Sequence, residues 1–321
     1  MIFSAFRSMR PSAQLVFGVF IVLICALVGM LVSYGLSLIF YGGFAEVQHL
    51  YATQDFDNPK YIGLLRLAQV VQTIFLFGIP PLAMAYLFDA RCLSYLYLDK
   101  KPLVKSIGLS IALFLLALPI VALIGLLNEQ MSLPSSWNAI EAWMKKSEDF
   151  AQFVVQKMVD DNSSPAWVNY LVIAVFPAIV EELFFRGALQ RILIKLTGNV
   201  HRGIWIGAVI FSMIHLQFYG FFPRLLLGAL LGYVVCYSGS LFVSIFLHFI
   251  NNASALYFEF YHGELPFLEG RDDLLIPDKW QDVDVWWMLF AGFCALVSLF
   301  LFSKLKHNYS FRVESNTELN K

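Results

Sequence analysis

The sequence has little charge. Of its 321 residues, 14% are Asp, Glu, Lys or Arg, and 59% are hydrophobic. Ordinary soluble domains carry roughly a quarter charged residues, so the low charge and the mean hydropathy of +0.69 exclude a soluble globular protein. The net charge of -1 also gives no sign of nucleic acid binding, which needs a concentrated basic surface.

Cysteines are also few, and they lie far apart in the sequence, at Cys25, Cys92, Cys236 and Cys294. They form no CxxC pair, and no histidine lies at metal-ligand spacing from any of them. The pattern therefore indicates neither a disulfide framework nor a cysteine-based metal motif. We expect the four thiols to be small apolar groups in the core or facing lipid.

Long apolar runs dominate the sequence instead. The first uncharged stretch, 11–45, is far longer than the ~7–15-residue apolar core of a signal peptide, so it is expected to remain as an anchor. Runs near the ~20 residues of a membrane-spanning helix recur along the chain. The sequence therefore predicts an all-α fold, a polytopic transmembrane bundle of about eight spans. The predicted spans are 15–40, 67–88, 106–127, 166–185, 203–222, 225–238, 241–258 and 285–303.

The sixth and seventh spans are the least regular part of this pattern. The stretch 225–258 is too long for one span and short for two, and the residues Tyr237-Ser238-Gly239-Ser240 interrupt it. A short, tilted or re-entrant helix is tolerated in a membrane only where protein or a watery cavity surrounds it. One such helix is therefore an open alternative here.

Basic residues are distributed unevenly between alternating loops. The loops on one side hold 14 of the 22 Lys and Arg residues, and the loops on the other side hold seven. Because basic residues concentrate on the cytoplasmic side, both termini are predicted to be cytoplasmic, and the short chain favours a bacterial plasma membrane. Most acidic residues fall in the outer loops, including Asp272, Asp273, Asp278, Asp282 and Asp284.

The segment 128–165 is the one sizeable stretch outside the spans. Its apolar residues fall at helical spacing, which predicts an amphipathic helix that either packs at the outer interface or forms a lid over a site. These residues are Ile140, Trp143, Met144, Phe150, Val154, Val155 and Met158.

The whole chain is predicted to divide into N-terminal spans with this outer segment (1–160), a core (161–260), and a last loop, final span and tail (261–321). The polar tail 304–321 is expected to be disordered.

A small set of polar residues lies inside the predicted spans. A charged side chain there costs ~2.5–3.5 kcal/mol on insertion scales and marks function by default. Each residue alone could stabilise the bundle, but two carboxylates, two histidines, an asparagine and an arginine on three spans together predict a site. They are Glu181 and Glu182 within or at the cytoplasmic end of the fourth span with Arg186 one turn on, His215 in the middle of the fifth, and His248 with Asn252 in the seventh.

These residues form three motifs on separate spans: EExxxR at 181–186, FxxxH at 211–215 and HxxxN at 248–252. Each motif fixes only two or three residues, but their order and their membrane depth make the combination specific. The sequence in this region resembles the CAAX protease and bacteriocin-processing family, the type II CAAX prenyl endopeptidases or Abi-like proteases. The resemblance covers about 165–258, under a third of the chain.

The resemblance implies an intramembrane endopeptidase that hydrolyses a peptide bond in a membrane protein or peptide substrate. It implies that Glu181 is the general base, that His215 helps it to activate a water molecule, and that His248 and Asn252 stabilise the oxyanion. Glu182 and Arg186 complete the first motif in supporting roles. The chemistry is reasonable, because a carboxylate in an apolar cavity becomes a better base and a tetrahedral oxyanion needs fixed donors.

A metal ion is the open question for this chemistry. We favour a mechanism without a cofactor, since the sequence has no HExxH motif and the ligands would come from three spans. The alternative is a zinc ion held by Glu181, His215 and His248, with water in the fourth position.

Two other functions stay open at this point. Embedded Glu and His residues could form the proton relay of a transporter, although no internal repeat is visible. The resembling family also includes members associated with immunity, which leaves a non-catalytic scaffold. The sequence shows no prenyl-binding pocket and does not predict an oligomeric state, although the GxxxG spacing of Gly228 and Gly232 predicts close helix approach inside the bundle.

Overall fold

A computed structural model describes residues 4–99, 101–102, 104–258, 283 and 285–308. Within these ranges the secondary structure is helical and contains no strand, so the predicted all-α class is confirmed. The predicted acidic outer loop around Asp272 and the end of the predicted tail lie outside the described residues.

Twelve α-helices are present in the described ranges, together with a 3₁₀ turn at Ser135–Trp137. Six of them are long and apolar enough to cross a membrane, namely Pro11–Phe40, Pro59–Phe88, Val104–Glu129, Ala166–Thr197, Phe221–Ser238 and Val285–Lys304. The chain is therefore an integral membrane protein. The helices are α1 (Ser4–Arg7), α2 (Pro11–Phe40), α3 (Phe44–Thr53), α4 (Pro59–Phe88), α5 (Cys92–Tyr95), α6 (Val104–Glu129), α7 (Asn138–Asp160), α8 (Ala166–Thr197), α9 (Val200–Met213), α10 (Phe221–Ser238), α11 (Leu241–Leu256) and α12 (Val285–Asn308).

Each of the eight predicted spans corresponds to a helix, but two of these helices are short. Helix α9 has 14 residues and α11 has 16, which at ~1.5 Å per residue gives lengths well below the ~30 Å of the hydrocarbon core. The irregular pair was predicted to be the sixth and seventh spans, whereas the structure places the short helices fifth and seventh. Helix α12 also continues to Asn308, past the predicted start of the tail at 304.

Two predicted boundaries were wrong for a physical reason. The fifth span was predicted to reach 222, but α9 ends at Met213 because the chain turns at Leu216, which has a left-handed φ of 53°. The fourth span was predicted to end at 185, but α8 continues to Thr197. There Gly198 adopts φ 62° and the Asn199 side chain accepts a hydrogen bond from the first turn of α9, so a tight turn separates two antiparallel helices.

Helix α8 is not a regular α-helix along its whole length. Tyr170–Val175 and Leu183–Leu189 are π-helical, and the first of these segments precedes Pro177. Proline has no backbone N–H to donate and its ring crowds the preceding turn, which a wider turn accommodates. The pair Glu181 and Glu182 lies between the two π-helical segments, near the middle of the helix rather than near its end.

Small residues let α8, α9 and α10 approach closely. A Cβ atom added to Gly232 would lie 2.6 Å from the Gln190 side-chain oxygen and 2.9 Å from Ile204. The space is used for polar contact, since the Gln190 amide donates to the Gly232 carbonyl at 3.2 Å. A Cβ at Gly228 would similarly meet Ala208 at 3.3 Å. The close approach predicted from the GxxxG spacing is confirmed within the bundle.

Helix α7 is the predicted amphipathic segment, and one of its ends is tied to the bundle through Arg66. The Arg66 guanidinium donates to the Asp161 carboxylate at 2.6 Å, to the Ser164 hydroxyl at 2.9 Å and to the Met158 carbonyl. Met158 is buried, but Trp143 is more than half exposed. The helix is therefore anchored at its C-terminal end, with much of its apolar surface uncovered by the chain.

Candidate active site

The predicted site residues come from α8, from the turn that follows α9, and from α11. Helix α11 packs against α8 over the length that contains Glu181 and Glu182, and α9 and α10 pack against each other beside them. The short α11 thus lies along the middle of the long α8, while α9 packs mainly against the C-terminal part of α8. This packing gathers residues that are up to 71 positions apart in the sequence around one carboxylate pair.

Glu182 is the most completely bonded residue of the set. It is fully buried, and its Oε1 accepts from Arg186 and, at 2.8 Å, from Nδ1 of His248. Its Oε2 accepts from the Ser244 hydroxyl. Since both oxygens accept hydrogen bonds and the side chain is fully buried, the Glu182 carboxylate fixes the groups around it.

Arg186 holds this carboxylate and is itself held on a second side. Its Nη2 donates to the Gly228 carbonyl at 3.0 Å, and its guanidinium carbon lies 4.7 Å from the centre of the Phe211 ring. A guanidinium stacked on an aromatic face gains a favourable cation–π interaction. The Glu182 and Arg186 pair is therefore held in place by a hydrogen bond to α10 and by the Phe211 ring near the end of α9.

His248 lies between the two glutamates. Because a carboxylate only accepts, the contact with Glu182 places a proton on Nδ1 of His248. The other ring nitrogen, Nε2, is 3.8 Å from the Glu181 carboxylate. That separation exceeds a direct hydrogen bond. His248 is thus oriented by one carboxylate and presents its second nitrogen to the other.

His215 has a different orienting contact. It lies in the turn after α9, not in the middle of a span as predicted, because the helix ends two residues before it. Its Nδ1 donates to the Phe211 carbonyl at 2.7 Å, which leaves Nε2 as the acceptor of the neutral ring. The Phe211 ring contacts both imidazoles edge to face, at 4.9 Å from His215 and 5.9 Å from His248.

Glu181 and Asn252 retain the capacity to bind a ligand. Within the described residues the Glu181 carboxylate has no direct hydrogen-bond donor, and 12% of the side chain is exposed. Asn252 accepts a 3.4 Å contact from Asn251 and makes no other hydrogen bond to the described part of the chain. Its amide nitrogen, one turn beyond His248, is therefore available as a donor.

Two residues near the site were missed by sequence reasoning. Ser244 precedes His248 by one helical turn, so its position on the same face was a usable signal for contact with Glu182. Arg224, at the start of α10, was counted only as a loop charge, yet it lies within electrostatic range of Glu181 and His215. Its guanidinium donates twice to Gln217, at 2.8 Å and 3.3 Å. No local sequence pattern indicated that placement.

The alternative zinc ion would be held by Glu181, His215 and His248. Among the described residues, no three His, Cys, Asp or Glu side chains converge as a metal-binding group. Of the three predicted ligands, Glu181 and His248 lie close together, and His215 keeps its Nε2 available because its Nδ1 donates to the Phe211 carbonyl. The four cysteines offer no substitute, since none of them is near these residues in a metal-binding cluster.

Comparison with known protein families gives one result. Residues 163–254 match the family model described as Rce1-like, type II CAAX prenyl endopeptidase Rce1-like. The match covers less than a third of the chain and includes all three motifs, so the family resemblance predicted from them is confirmed. No curated protein and no solved structure matches the chain. The family match supports an intramembrane endopeptidase and gives no support to a transporter or a scaffold.

Proposed function

We propose that the protein hydrolyses a peptide bond of a membrane-associated protein or peptide, with a water molecule activated by Glu181 and His215 and an oxyanion stabilised by His248 and Asn252. One observation carries the proposal. Of two neighbouring glutamates in the middle of one apolar helix, Glu182 is fully bonded and Glu181 has its oxygens available beside a histidine. An available carboxylate at that depth is costly unless it is used.

The attacking water is assigned to the space beside Glu181. Glu181 accepts a proton as the water oxygen bonds to the scissile carbonyl carbon, and the unprotonated Nε2 of His215 is a second acceptor that orients the water. The C–N bond then breaks, and Glu181 returns the proton to the leaving amine. General acid–base catalysis of this kind contributes about 10²–10⁴-fold in rate.

The oxyanion is assigned to the groups on α11. Nε2 of His248 and the amide nitrogen of Asn252 lie one turn apart on one helix, so both can donate to one oxygen. A donor at Nε2 requires the imidazolium form of His248, which has a carboxylate on either side. Removing one such donor costs about 2.7–4 kcal/mol of transition-state stabilisation in other hydrolases.

Glu182 and Arg186 are assigned a positioning role. Glu182 fixes the ring plane of His248 through Nδ1, and Arg186 neutralises Glu182 and secures it to the Gly228 carbonyl. Neither residue touches the substrate in this scheme. Their loss would act through His248, which distinguishes them from Glu181.

The decisive experiment compares membranes that contain wild type, Glu181→Gln or Glu46→Gln at matched expression, by mass spectrometry of new peptide termini. Glu46 is an exposed glutamate paired with Lys60 far from the site, so it controls for the chemical change itself. Termini present with wild type and Glu46→Gln but absent with Glu181→Gln establish the protease and report its cleavage preference. Identical termini in all three samples, with each protein folded, contradict the proposal.

The proposed mechanism uses no metal ion, and elemental analysis of the purified active protein tests this part separately. We expect no stoichiometric zinc and no loss of activity after treatment with a chelator. Zinc at one equivalent, whose removal abolishes activity and whose return restores it, would overturn the metal-free mechanism while leaving the protease assignment intact.

We also propose that both termini are cytoplasmic, in the plasma membrane of a bacterium, from the distribution of Lys and Arg between loops. A reporter fused after residue 321 should be active only on the cytoplasmic side. Activity on the outer side alone would overturn this orientation.

A further inference from the structure

The turn at 214–220, which joins α9 to α10, carries His215 and is fixed by contacts from other elements. Asn128, in the last turn of α6, donates to the Phe218 carbonyl at 3.1 Å and accepts from the Phe222 amide at 3.0 Å. The Ser212 hydroxyl donates to the Phe221 carbonyl at 2.7 Å across the turn. The backbone around His215 is therefore held by side chains and not only by its own conformation.

The outer helix α7 supplies a further contact. The Glu148 carboxylate accepts a hydrogen bond from the Tyr219 amide at 2.8 Å. Earlier in α7, the Trp143 ring packs on Phe218 with centroids 5.4 Å apart. Glu148 also lies within electrostatic range of Arg224, whose guanidinium donates to Gln217 of the same turn. Glu148 therefore acts on the turn directly and through a neighbouring cation.

We propose that Glu148 is a positioning residue for His215, acting from the outer helix through the 214–220 turn. The inference rests on the proposed function in so far as His215 is taken as a catalytic group. In this proposal α7 does not have to move over the site as a lid. Its contact with the turn sets the position of the His215 imidazole. A carboxylate that accepts from a backbone amide makes a strong, charge-assisted bond suited to that role.

The first test measures the position of His215 without requiring catalysis. Purified protein is treated with diethylpyrocarbonate, which acylates unprotonated imidazole nitrogen, and labelling of each histidine is quantified by mass spectrometry. The variants are Glu148→Ala, Glu148→Gln and Asp149→Ala. Glu148→Gln retains an acceptor oxygen for the Tyr219 amide. Asp149 is the exposed neighbour of Glu148, so its variant removes the same charge one residue away.

We expect labelling of His215 to rise several-fold in Glu148→Ala and to stay near the wild-type level in Glu148→Gln and Asp149→Ala. His201, exposed at the other end of α9, is the internal control and should not change. Unchanged labelling of His215 in Glu148→Ala overturns the proposal. So does an equal rise at His201, because that result reports general loosening and no specific effect on the turn.

The second test is kinetic and uses a substrate identified from the new peptide termini. Glu148→Ala should lower kcat about 10- to 100-fold with little change in KM, as expected when a reacting group is displaced by about 1 Å, and Glu148→Gln should restore most of the turnover. A loss confined to KM, or no rescue by Glu148→Gln, contradicts the positioning role. If labelling behaves as expected but no variant and no wild type cleaves anything, the protease assignment fails and the control of His215 by Glu148 stands.

Discussion

Two regions of the molecule contain a buried arginine–carboxylate pair. In the interior, Arg186 pairs with Glu182, and their side chains are 2% and 0% exposed. Where α4 meets the connection between α7 and α8, Arg66 pairs with Asp161, and their side chains are 7% and 5% exposed. The two pairs carry the same charges and have little exposed side-chain surface, although Asp161 lies nearer the surface of the protein than Glu182.

The pairs differ in what surrounds them. Asp161 accepts from Arg66 and from the Ser163 amide and hydroxyl, and its neighbours tie chain segments together. Glu182 also has its oxygens occupied, but it holds a histidine whose other nitrogen faces the available carboxylate of Glu181. The two pairs therefore differ in one respect, since the Glu182 pair orients a histidine that faces an incompletely bonded carboxylate and the Asp161 pair orients no such group among the described residues.

The largest expected effect follows from Glu181→Gln, which removes the available carboxylate and keeps its shape. Turnover should fall about 10²–10⁴-fold because the general base is lost, while thermal stability in detergent stays close to wild type. Single-turnover assays on a cleaved peptide measure the first quantity and thermal unfolding the second. Retention of turnover, or a large drop in stability, would remove the distinction drawn between Glu181 and Glu182.

Glu182→Gln should damage both properties. It leaves the Arg186 guanidinium buried without its anion, which costs about 3–5 kcal/mol of stability, and it releases His248 from the orientation needed for the oxyanion. Turnover per folded molecule should therefore also fall. A variant that loses stability but turns over normally would show that Glu182 is structural only, like its counterpart in the second region.

Asp161→Asn tests that counterpart. Stability should fall by roughly 2–3 kcal/mol because buried Arg66 loses its charged acceptor, but turnover per folded molecule should stay at the wild-type level. Thermal unfolding and active-site titration on one preparation give both values. A drop in specific turnover as large as that of Glu182→Gln would erase the functional difference between the two regions.

The stability change in Asp161→Asn should also depend on pH. Burial tends to raise the pKa of Asp161, but the hydrogen bonds from Ser163 and the nearby Arg66 outweigh burial and hold this pKa below its usual value. A depressed folded-state pKa gives stability that is complete above the unfolded-state pKa and is lost as pH falls through the folded-state pKa. The difference in unfolding free energy between wild type and Asp161→Asn should therefore be largest at neutral pH and should decrease in acid.

The smallest effect concerns the packing that supports the interior pair. Gly232→Ala should cost about 1–3 kcal/mol, because the added methyl group would push against Gln190 and Ile204. Gly35→Ala in α2 is the matched control, since nothing lies within 4 Å of its added Cβ. Thermal unfolding of both variants is the measurement. Equal stability of the two variants would mean that α8 and α10 can accommodate the added methyl group despite the short distances around Gly232.

The sequence was sufficient to predict the helical class, the number of apolar segments and the position of Glu181, Glu182 and His248 within apolar helices. The length of a hydrophobic run and the presence of a charged residue inside it are properties of the local sequence, so they can be recognised without knowledge of the fold. The end of α9 was not predicted, because Leu216 is not a residue type that marks a turn. The contact of Glu182 with His248 and the position of Arg224 depend on how separate helices pack against each other. The spacing of residues along the sequence does not determine that packing.

The Phe211 ring lies against both imidazoles, and it has no hydrogen-bond donor or acceptor of its own. A proton therefore has no direct route from one histidine to the other through this contact. The ring lies between the two imidazoles, and each imidazole is oriented by a different acceptor, the Phe211 carbonyl for His215 and the Glu182 carboxylate for His248. In the proposed mechanism the two histidines have opposite tasks, since His215 would accept a hydrogen bond from water while His248 would donate one to the oxyanion, and the ring between them keeps these two tasks on separate groups.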